Sequence, residues 1–165
     1  MTDQGRRDIL IGGSSVAIAG AVSTAAWTRR ASAQKVDSIA PSEWDYRTTR
    51  ELVQALQARK ISASELVQHS ISRIEALDQR LNAVVVRDFE RAREAAKAAD
   101  AALARGEGRP LLGVPITIKE LFNVTGLPTT WGMPQFKDFI PKEDAVLVSR
   151  VKSAGAVILG KTMCH

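Results

Sequence analysis

Apolar residues recur at helical spacing in four stretches of the chain, where they would line one face of a helix. Two stretches begin with a capping box, in which a Ser or Thr hydroxyl and a Glu three residues later bond to free backbone N–H groups. The first box is Thr48 with Glu51, and the second is Ser62 with Glu65. The pattern predicts helices over residues 48–60, 62–78, 88–105 and 145–154.

Three short apolar runs, rich in β-branched residues, lie between these helices and predict buried strands. They cover residues 81–86, 113–118 and 156–160. Helices and strands thus alternate, which predicts an α/β fold with a largely parallel or mixed β-sheet covered by helices. Pro115 has no backbone N–H to donate, so it favours the start of a strand or the edge of a sheet.

The first 33 residues have the features of a bacterial export signal. Arg6-Arg7 precedes an uncharged stretch over residues 9–28, and Ala31-Ser32-Ala33 fits a cleavage site that would leave Gln34 as the new N-terminus. The paired arginines indicate the twin-arginine route. The alternatives are an uncleaved membrane anchor, because the uncharged stretch is long enough to span a bilayer, and a cytoplasmic tail.

Charge and motifs exclude several classes of function. The net charge of +5 is small and scattered, and acidic residues alternate with Arg91, Arg93 and Lys97, so we expect a solvated helix face and no nucleic-acid partner. Cys164 is the only cysteine, and Cys164-His165 lacks the further ligands that a metal site needs. No HExxH, CxxC or phosphate-binding glycine pattern occurs, so we expect no cofactor and no metal.

A lysine follows the second predicted strand directly. Burial at that point would favour the neutral amine of Lys119, which is a base able to activate a serine hydroxyl. The alternative is that Lys119 points into water, as most lysines do. Lys161 follows the third strand in the same way. His69, alone on a predicted helix, is interpreted as a bystander.

Three separated blocks of the sequence resemble the amidase signature family, in the family's order and near its spacing. They are GVPITIKE at 113–120, GLPTT at 126–130, and Asp144-Ala145 followed by GAVILGKT at 155–162. The resemblance runs from about Ile61 to the end of the chain. It departs from the family at Met163, where an asparagine is usual.

The resemblance implies the N-terminal part of the amidase signature fold, and it implies amide hydrolysis by a Ser–cis-Ser–Lys triad through an acyl-enzyme. Carried over to this sequence, the lysine is Lys119, acting as general base through the bridging serine. The two serines belong to a Gly/Ser-rich block that the resemblance places beyond His165. Lys161 is assigned a structural role.

These interpretations divide the chain into a signal at residues 1–33, a lead and first helix at 34–60, and the front part of an amidase domain at 61–165. The expected partners are a small-molecule amide and the twin-arginine export machinery. The expected location is the periplasm or the outside of a bacterial cell. The sequence does not indicate an oligomeric state.

A segment of low periodicity follows Lys119 and runs to Pro141. Its apolar residues are Trp131, Met133, Phe136 and Phe139. Long irregular segments inside compact domains are often functional. These side chains could line the acyl side of a substrate pocket, or they could fix the segment to the hydrophobic core.

Two further functions stay open. The chain could be a catalytically inactive truncated product, because none of its serines lies in a Gly-rich turn between a strand and a helix. It could also be the amidotransferase subunit that works on charged tRNA, since that protein shares the family motif. The predicted export signal argues against this second possibility, because charged tRNA is cytoplasmic.

Overall fold

The computed structural model describes residues 41–163 of the chain. The predicted signal at residues 1–33, most of the lead that follows it, and Cys164-His165 lie outside the described residues. The described elements are α1 (Thr49–Gln57), α2 (Ala63–Leu81), β1 (Val84–Arg87), α3 (Phe89–Ala104), β2 (Pro115–Lys119), a 3₁₀ turn (Pro134–Phe136), α4 (Val146–Ser153) and β3 (Val157–Thr162).

Both predicted capping boxes are confirmed. The Thr48 hydroxyl accepts from the backbone N–H of Glu51 at 3.3 Å, and the Glu51 carboxylate accepts from the N–H of Thr48 at 2.7 Å. Ser62 and Glu65 exchange the corresponding bonds at the start of α2. Of the helices in residues 41–163, none combines the length and apolar character needed to cross a membrane.

The three strands form one mixed sheet in the order β1-β3-β2. Strand β1 runs antiparallel to β3, and β2 runs parallel to it. The predicted α/β architecture with a mixed sheet and covering helices is therefore confirmed. Pro115 opens the strand at one edge of the described sheet, which is the position that its missing N–H favours.

Strand β3 carries a bulge at Gly160. Ile116 pairs with Ile158, but the next residue of β2, Thr117, pairs with Gly160, so β3 holds one extra residue between them. Gly160 has φ +150°, and a Cβ there would collide with the carbonyl oxygen of Val86. Only glycine fits this backbone without displacing β1, and the extra residue reverses the alternation of faces beyond it.

Two hydrophobic clusters cover the described sheet. The first joins α1, α2 and α3 to the sheet, and α3 contributes only small side chains to its buried part, Ala92, Ala96, Ala99 and Ala102. The helix can therefore pack closely against the sheet. The second cluster consists of Ile118, Val124, Leu127, Val148 and Ile158.

The first strand begins later than predicted. Residues 81–86 were expected to form it, but α2 continues to Leu81, and Asn82 ends the helix with φ +49°. Asparagine tolerates this left-handed conformation better than most residues, so the chain can turn sharply into β1. Asp78 accepts hydrogen bonds from Ala83 N–H at 2.5 Å and Val84 N–H at 3.1 Å.

The carboxylate of Asp78 therefore joins α2 to β1. It is buried, and it also accepts a hydrogen bond from the Arg87 guanidinium at 3.0 Å. Burial alone would raise the pKa of Asp78, but the bonds from Val84, Arg87 and Ala83 outweigh it and hold the pKa below its usual value. A carboxyl whose pKa is lowered by folding stabilises the fold above its unfolded pKa and loses that contribution as the pH falls.

We expect Asp78→Asn to lower the free energy of unfolding at pH 7 by about 2 kcal/mol, because hydrogen bonds to a charged acceptor are lost. We also expect its stability to fall less steeply than that of the parent between pH 5 and pH 3. Urea unfolding of both proteins across this range measures the difference. Asp138→Asn, at an exposed aspartate, is the control, and parallel profiles for parent and Asp78→Asn would contradict the assignment.

Candidate functional site

The ends of β2 and β3 bring the predicted lysines to the same end of the sheet. Because these strands are parallel, their carboxyl ends lie at the same end of the sheet. Lys119 pairs with Thr162, and Ile118 pairs with Lys161. The backbone N–H of Glu120 then donates to the Thr162 carbonyl at 2.8 Å. The segment that follows Lys119 folds back over this end of the sheet. This end of the sheet is the candidate site.

Lys119 is the last residue of β2, and its side chain is exposed. The expectation that it is buried is wrong for the described part of the chain. Strand residues alternate between faces, and Ile118 occupies the second hydrophobic cluster, so Lys119 points to the opposite face. The catalytic role of Lys119 stays a prediction.

Lys161 is the lysine that the fold buries. Its side chain has 0% exposure, and its ammonium donates to the Pro128 carbonyl and to the Thr129 hydroxyl, each at 2.6 Å. The bulge at Gly160 explains its direction, since strict alternation would place Lys161 on the same face as Leu159, in the first cluster. These contacts agree with the structural role assigned from the sequence.

Glu120 is buried beside it, with 3% exposure. Its carboxylate accepts hydrogen bonds from the backbone N–H groups of Thr130 and Trp131, the latter at 3.0 Å. Sequence reasoning missed this role. The only signal was a carboxylate directly after a buried strand, and the residues that it binds are too far along the chain for any local pattern to connect them.

Glu120 and Lys161 together fix residues 128–131 at the edge of the sheet; we name these four residues the clamped loop. The two charged side chains come from the ends of adjacent strands. Between them they bind a carbonyl, a hydroxyl and two N–H groups of the clamped loop. Thr129 is completely buried, and its N–H donates to the Phe139 carbonyl at 3.0 Å. The segment after Lys119 is therefore irregular in sequence but fixed in conformation.

Asp144 fixes the far end of the same segment. The fourth helix was predicted over residues 145–154, but α4 begins at Val146 with Ala145 as N-cap. The Asp144 carboxylate before it accepts from the Thr125 N–H at 2.7 Å. Lys152 donates to it at 2.7 Å. Burial would raise the pKa of Asp144, but the bonds from Lys152 and Thr125 hold it below its usual value.

Three aromatic residues of the segment contact one another, and one of them, Trp131, belongs to the clamped loop. Trp131 stacks on Phe139 with 5.4 Å between ring centroids, and Phe136 meets Trp131 edge-on at 5.1 Å. None of the three belongs to either hydrophobic cluster of the described residues. The segment is instead fixed to the core by Val124 and Leu127.

The other candidate residues have structural partners. His69 bonds to Asp45 at 2.9 Å, and Arg73 bonds to the same carboxylate at 2.9 Å. On α3, Arg91, Arg93 and Lys97 each pair with an acidic residue one turn away, which confirms the solvated face. Within residues 41–163 there is no group of three or more His, Cys, Asp or Glu side chains placed to hold a metal ion.

Comparison with known proteins connects this geometry to a family. The model of the family described as Amidase matches residues 65–165. The A subunit of glutamyl-tRNA(Gln) amidotransferase from Nitrosococcus oceani is 44% identical over 117 residues, which are 71% of this chain and 24% of that protein. Its counterpart from Gluconobacter oxydans is 47% identical over 107 residues, 65% of this chain and 22% of that protein.

Solved structures give the same result. The native peptide amidase from Stenotrophomonas maltophilia is 33% identical with a TM-score of 0.69, over 74% of this chain and 26% of that one. A bacterial aryl acylamidase of the amidase signature family is 31% identical with a TM-score of 0.66, over 71% and 25% of the two chains. The chain thus spans about a quarter of the length of the relatives that it matches.

We expect Lys161→Met to lower the free energy of unfolding by about 2–4 kcal/mol, because it leaves the half-buried Pro128 carbonyl and the buried Thr129 hydroxyl without their donor. Urea denaturation measures the loss. Lys137→Met, which removes an exposed ammonium, is the matched control and should change stability by less than about 0.5 kcal/mol. A Lys161→Met protein as stable as the control would show that the clamped loop does not depend on this ammonium.

Proposed function

The chain belongs to the amidase signature family, and from this we propose that it supplies the general base of an amide-hydrolysing site, with Lys119 as that base. The observation that carries the proposal is the family match over residues 65–165, in which Lys119 ends the strand that the Gly-Val-Pro block begins. The family resemblance assigns the basic lysine to this position. Lys161, the other lysine at this end of the sheet, has its ammonium bound to the clamped loop.

The proposed chemistry proceeds as follows. The neutral amine of Lys119 accepts a proton, through a bridging serine, from a nucleophilic serine that attacks the amide carbonyl. Backbone N–H groups stabilise the oxyanion, the amine leaves with a proton, and water then hydrolyses the acyl-enzyme. Among residues 41–163, no serine hydroxyl is hydrogen-bonded to Lys119. Since the chain spans about a quarter of its relatives' length, we propose that both serines and the groups covering Lys119 come from residues corresponding to the remainder.

The experiment expresses the reading frame that contains codons 1–165 together with whatever coding sequence follows it, and assays hydrolysis of simple amides. We expect Lys119→Ala to lower kcat by at least about 10³-fold, because an activating base is removed from the nucleophile. The fold should be retained, since the Lys119 side chain is exposed in the described residues. Lys97→Ala, at an exposed lysine of α3, is the control. Turnover of Lys119→Ala within a few-fold of the control would refute the proposal.

The names of the curated relatives favour a second candidate function. Both relatives described above are A subunits of glutamyl-tRNA(Gln) amidotransferase. With that function the chain would be part of a cytoplasmic enzyme that works on charged tRNA. The third candidate is a catalytically inactive product. The amide hydrolysis assay above tests it, because a reading frame without the two serines would have no nucleophile for Lys119 to activate and should show no turnover.

The cellular location separates the first two candidates. We propose that Arg6-Arg7 and the uncharged stretch at residues 9–28 direct the chain to twin-arginine export, with cleavage after Ala33. We expect a C-terminally tagged chain to reach the periplasm of a bacterial host with Gln34 as its N-terminus, as mass spectrometry would show. The Arg6→Lys/Arg7→Lys variant should remain in the cytoplasm, because that route reads the arginine pair itself.

Arg29→Lys/Arg30→Lys is the control for the export experiment, since it makes the same change next to the cleavage site. This control should still be exported. A parent chain that stays in the cytoplasm with its N-terminus intact would contradict the export proposal and would favour the amidotransferase function.

A further inference from the structure

We propose that Glu120 is a positioning residue for the amide hydrolysis, which fixes the backbone that carries Lys119 and thereby sets the direction of the Lys119 side chain. The proposal rests on the proposed function of Lys119 as the base. It adds a second residue of this chain on which the reaction depends. All of the bonds that support it join residues in the described part of the chain.

Hydrogen bonds hold the backbone directly after Lys119. The Glu120 N–H donates to the Thr162 carbonyl of β3 at 2.8 Å. The Leu121 carbonyl accepts from the indole N–H of Trp131 at 2.9 Å. The two residues that follow Lys119 are therefore bound to β3 on one side and to the clamped loop on the other.

The Glu120 carboxylate adds a charged link to the clamped loop. It is 3% exposed, and it accepts hydrogen bonds from two consecutive backbone N–H groups, those of Thr130 and Trp131. Hydrogen bonds to a charged acceptor are stronger than neutral ones, and a buried carboxylate that loses its donors is strongly destabilised. The residue next to Lys119 therefore cannot leave the clamped loop without a large cost in free energy.

Burial of Glu120 also sets the direction of the Lys119 side chain. Successive residues of an extended chain point to opposite faces. Ile118 and Glu120 lie on either side of Lys119 in sequence, and both are buried, Ile118 in the second cluster. The side chain between them is therefore directed to the opposite face, where Lys119 is exposed.

A base carried by lysine is sensitive to the position of its backbone. Lysine has a flexible four-carbon side chain, so a fixed Cα and a fixed Cα–Cβ direction narrow the volume in which its amine can lie. A displacement of about 1 Å in a catalytic group can lower the rate of a reaction by about 10²-fold. Loss of the Glu120 bonds should therefore lower turnover through Lys119.

The test uses the protein expressed from the full reading frame, as in the amide hydrolysis assay above. We expect Glu120→Gln to lower kcat by about 10- to 100-fold and to change KM by less than about twofold, because the base is misplaced while substrate binding is kept. Glu120→Asp retains the charge and both acceptor oxygens on a shorter side chain. It should lower kcat by about three- to tenfold, and it provides the test if Glu120→Gln fails to fold.

Asp78→Asn is the matched control. Asp78 is also a buried carboxylate that accepts two backbone N–H bonds, but it joins α2 to β1, at the other edge of the described sheet. This control should lose a comparable amount of stability and keep kcat within about twofold of the parent. Amide hydrogen exchange gives a measurement without turnover: Glu120→Gln should accelerate exchange at Glu120 and Trp131, and Asp78→Asn should not.

A double variant separates positioning from an independent role of Glu120. Once the Lys119 amine is removed, Glu120 has no base to position. Lys119→Ala/Glu120→Gln should therefore turn over no more slowly than Lys119→Ala alone. A Glu120→Gln loss that persists in full in the Lys119→Ala background would overturn the proposal, because Glu120 would then act independently of Lys119.

Three other outcomes would also overturn it: unchanged kcat in Glu120→Gln and Glu120→Asp, an equal loss of kcat in Asp78→Asn, or unchanged exchange at Glu120 and Trp131. A kcat loss confined to Lys119→Ala would leave the base standing and refute only the role of Glu120. Full turnover in Lys119→Ala would refute the proposed base, and the positioning role with it.

Discussion

Two buried charged side chains, Glu120 and Lys161, hold the candidate site together. They lie at the ends of neighbouring parallel strands and bind opposite kinds of backbone group in the clamped loop, N–H groups for the carboxylate and a carbonyl for the ammonium. Burying a charge without partners is expensive, so the loop and the two side chains depend on each other. The backbone of Trp131 takes its position from this arrangement.

The bulge at Gly160 makes this arrangement possible. Without the extra residue in β3, the alternation of faces would direct Lys161 towards the helices of the first hydrophobic cluster, where no carbonyl of the clamped loop could meet it. A single glycine next to the Val86 carbonyl therefore decides which lysine is buried. Lys119, on the neighbouring strand, directly follows Ile118 of the second cluster and so points to the opposite face.

The contrast between the two lysines also bears on chemistry. Lys161 is bound to protein groups that stabilise its position, whereas the Lys119 side chain is available at the edge of the described sheet. A general base must reach the group whose proton it accepts, whereas a structural cation stays bound to its protein partners. At this end of the sheet, Lys161 thus supports the site, whereas we propose that Lys119 acts in it.

The sequence by itself determined the elements whose causes are local. The capping boxes at Thr48 and Ser62, the alanine-rich packing face of α3, the strand that ends in Lys119 and the mixed α/β sheet all follow from spacing and side-chain type. Only the tertiary structure decided that Lys161 is buried and Lys119 exposed, that Glu120 binds Thr130 and Trp131, and that Asp78 joins α2 to β1. Each of these depends on contacts between residues distant in sequence or on a bulge, and the periodicity of apolar residues carries no information about either.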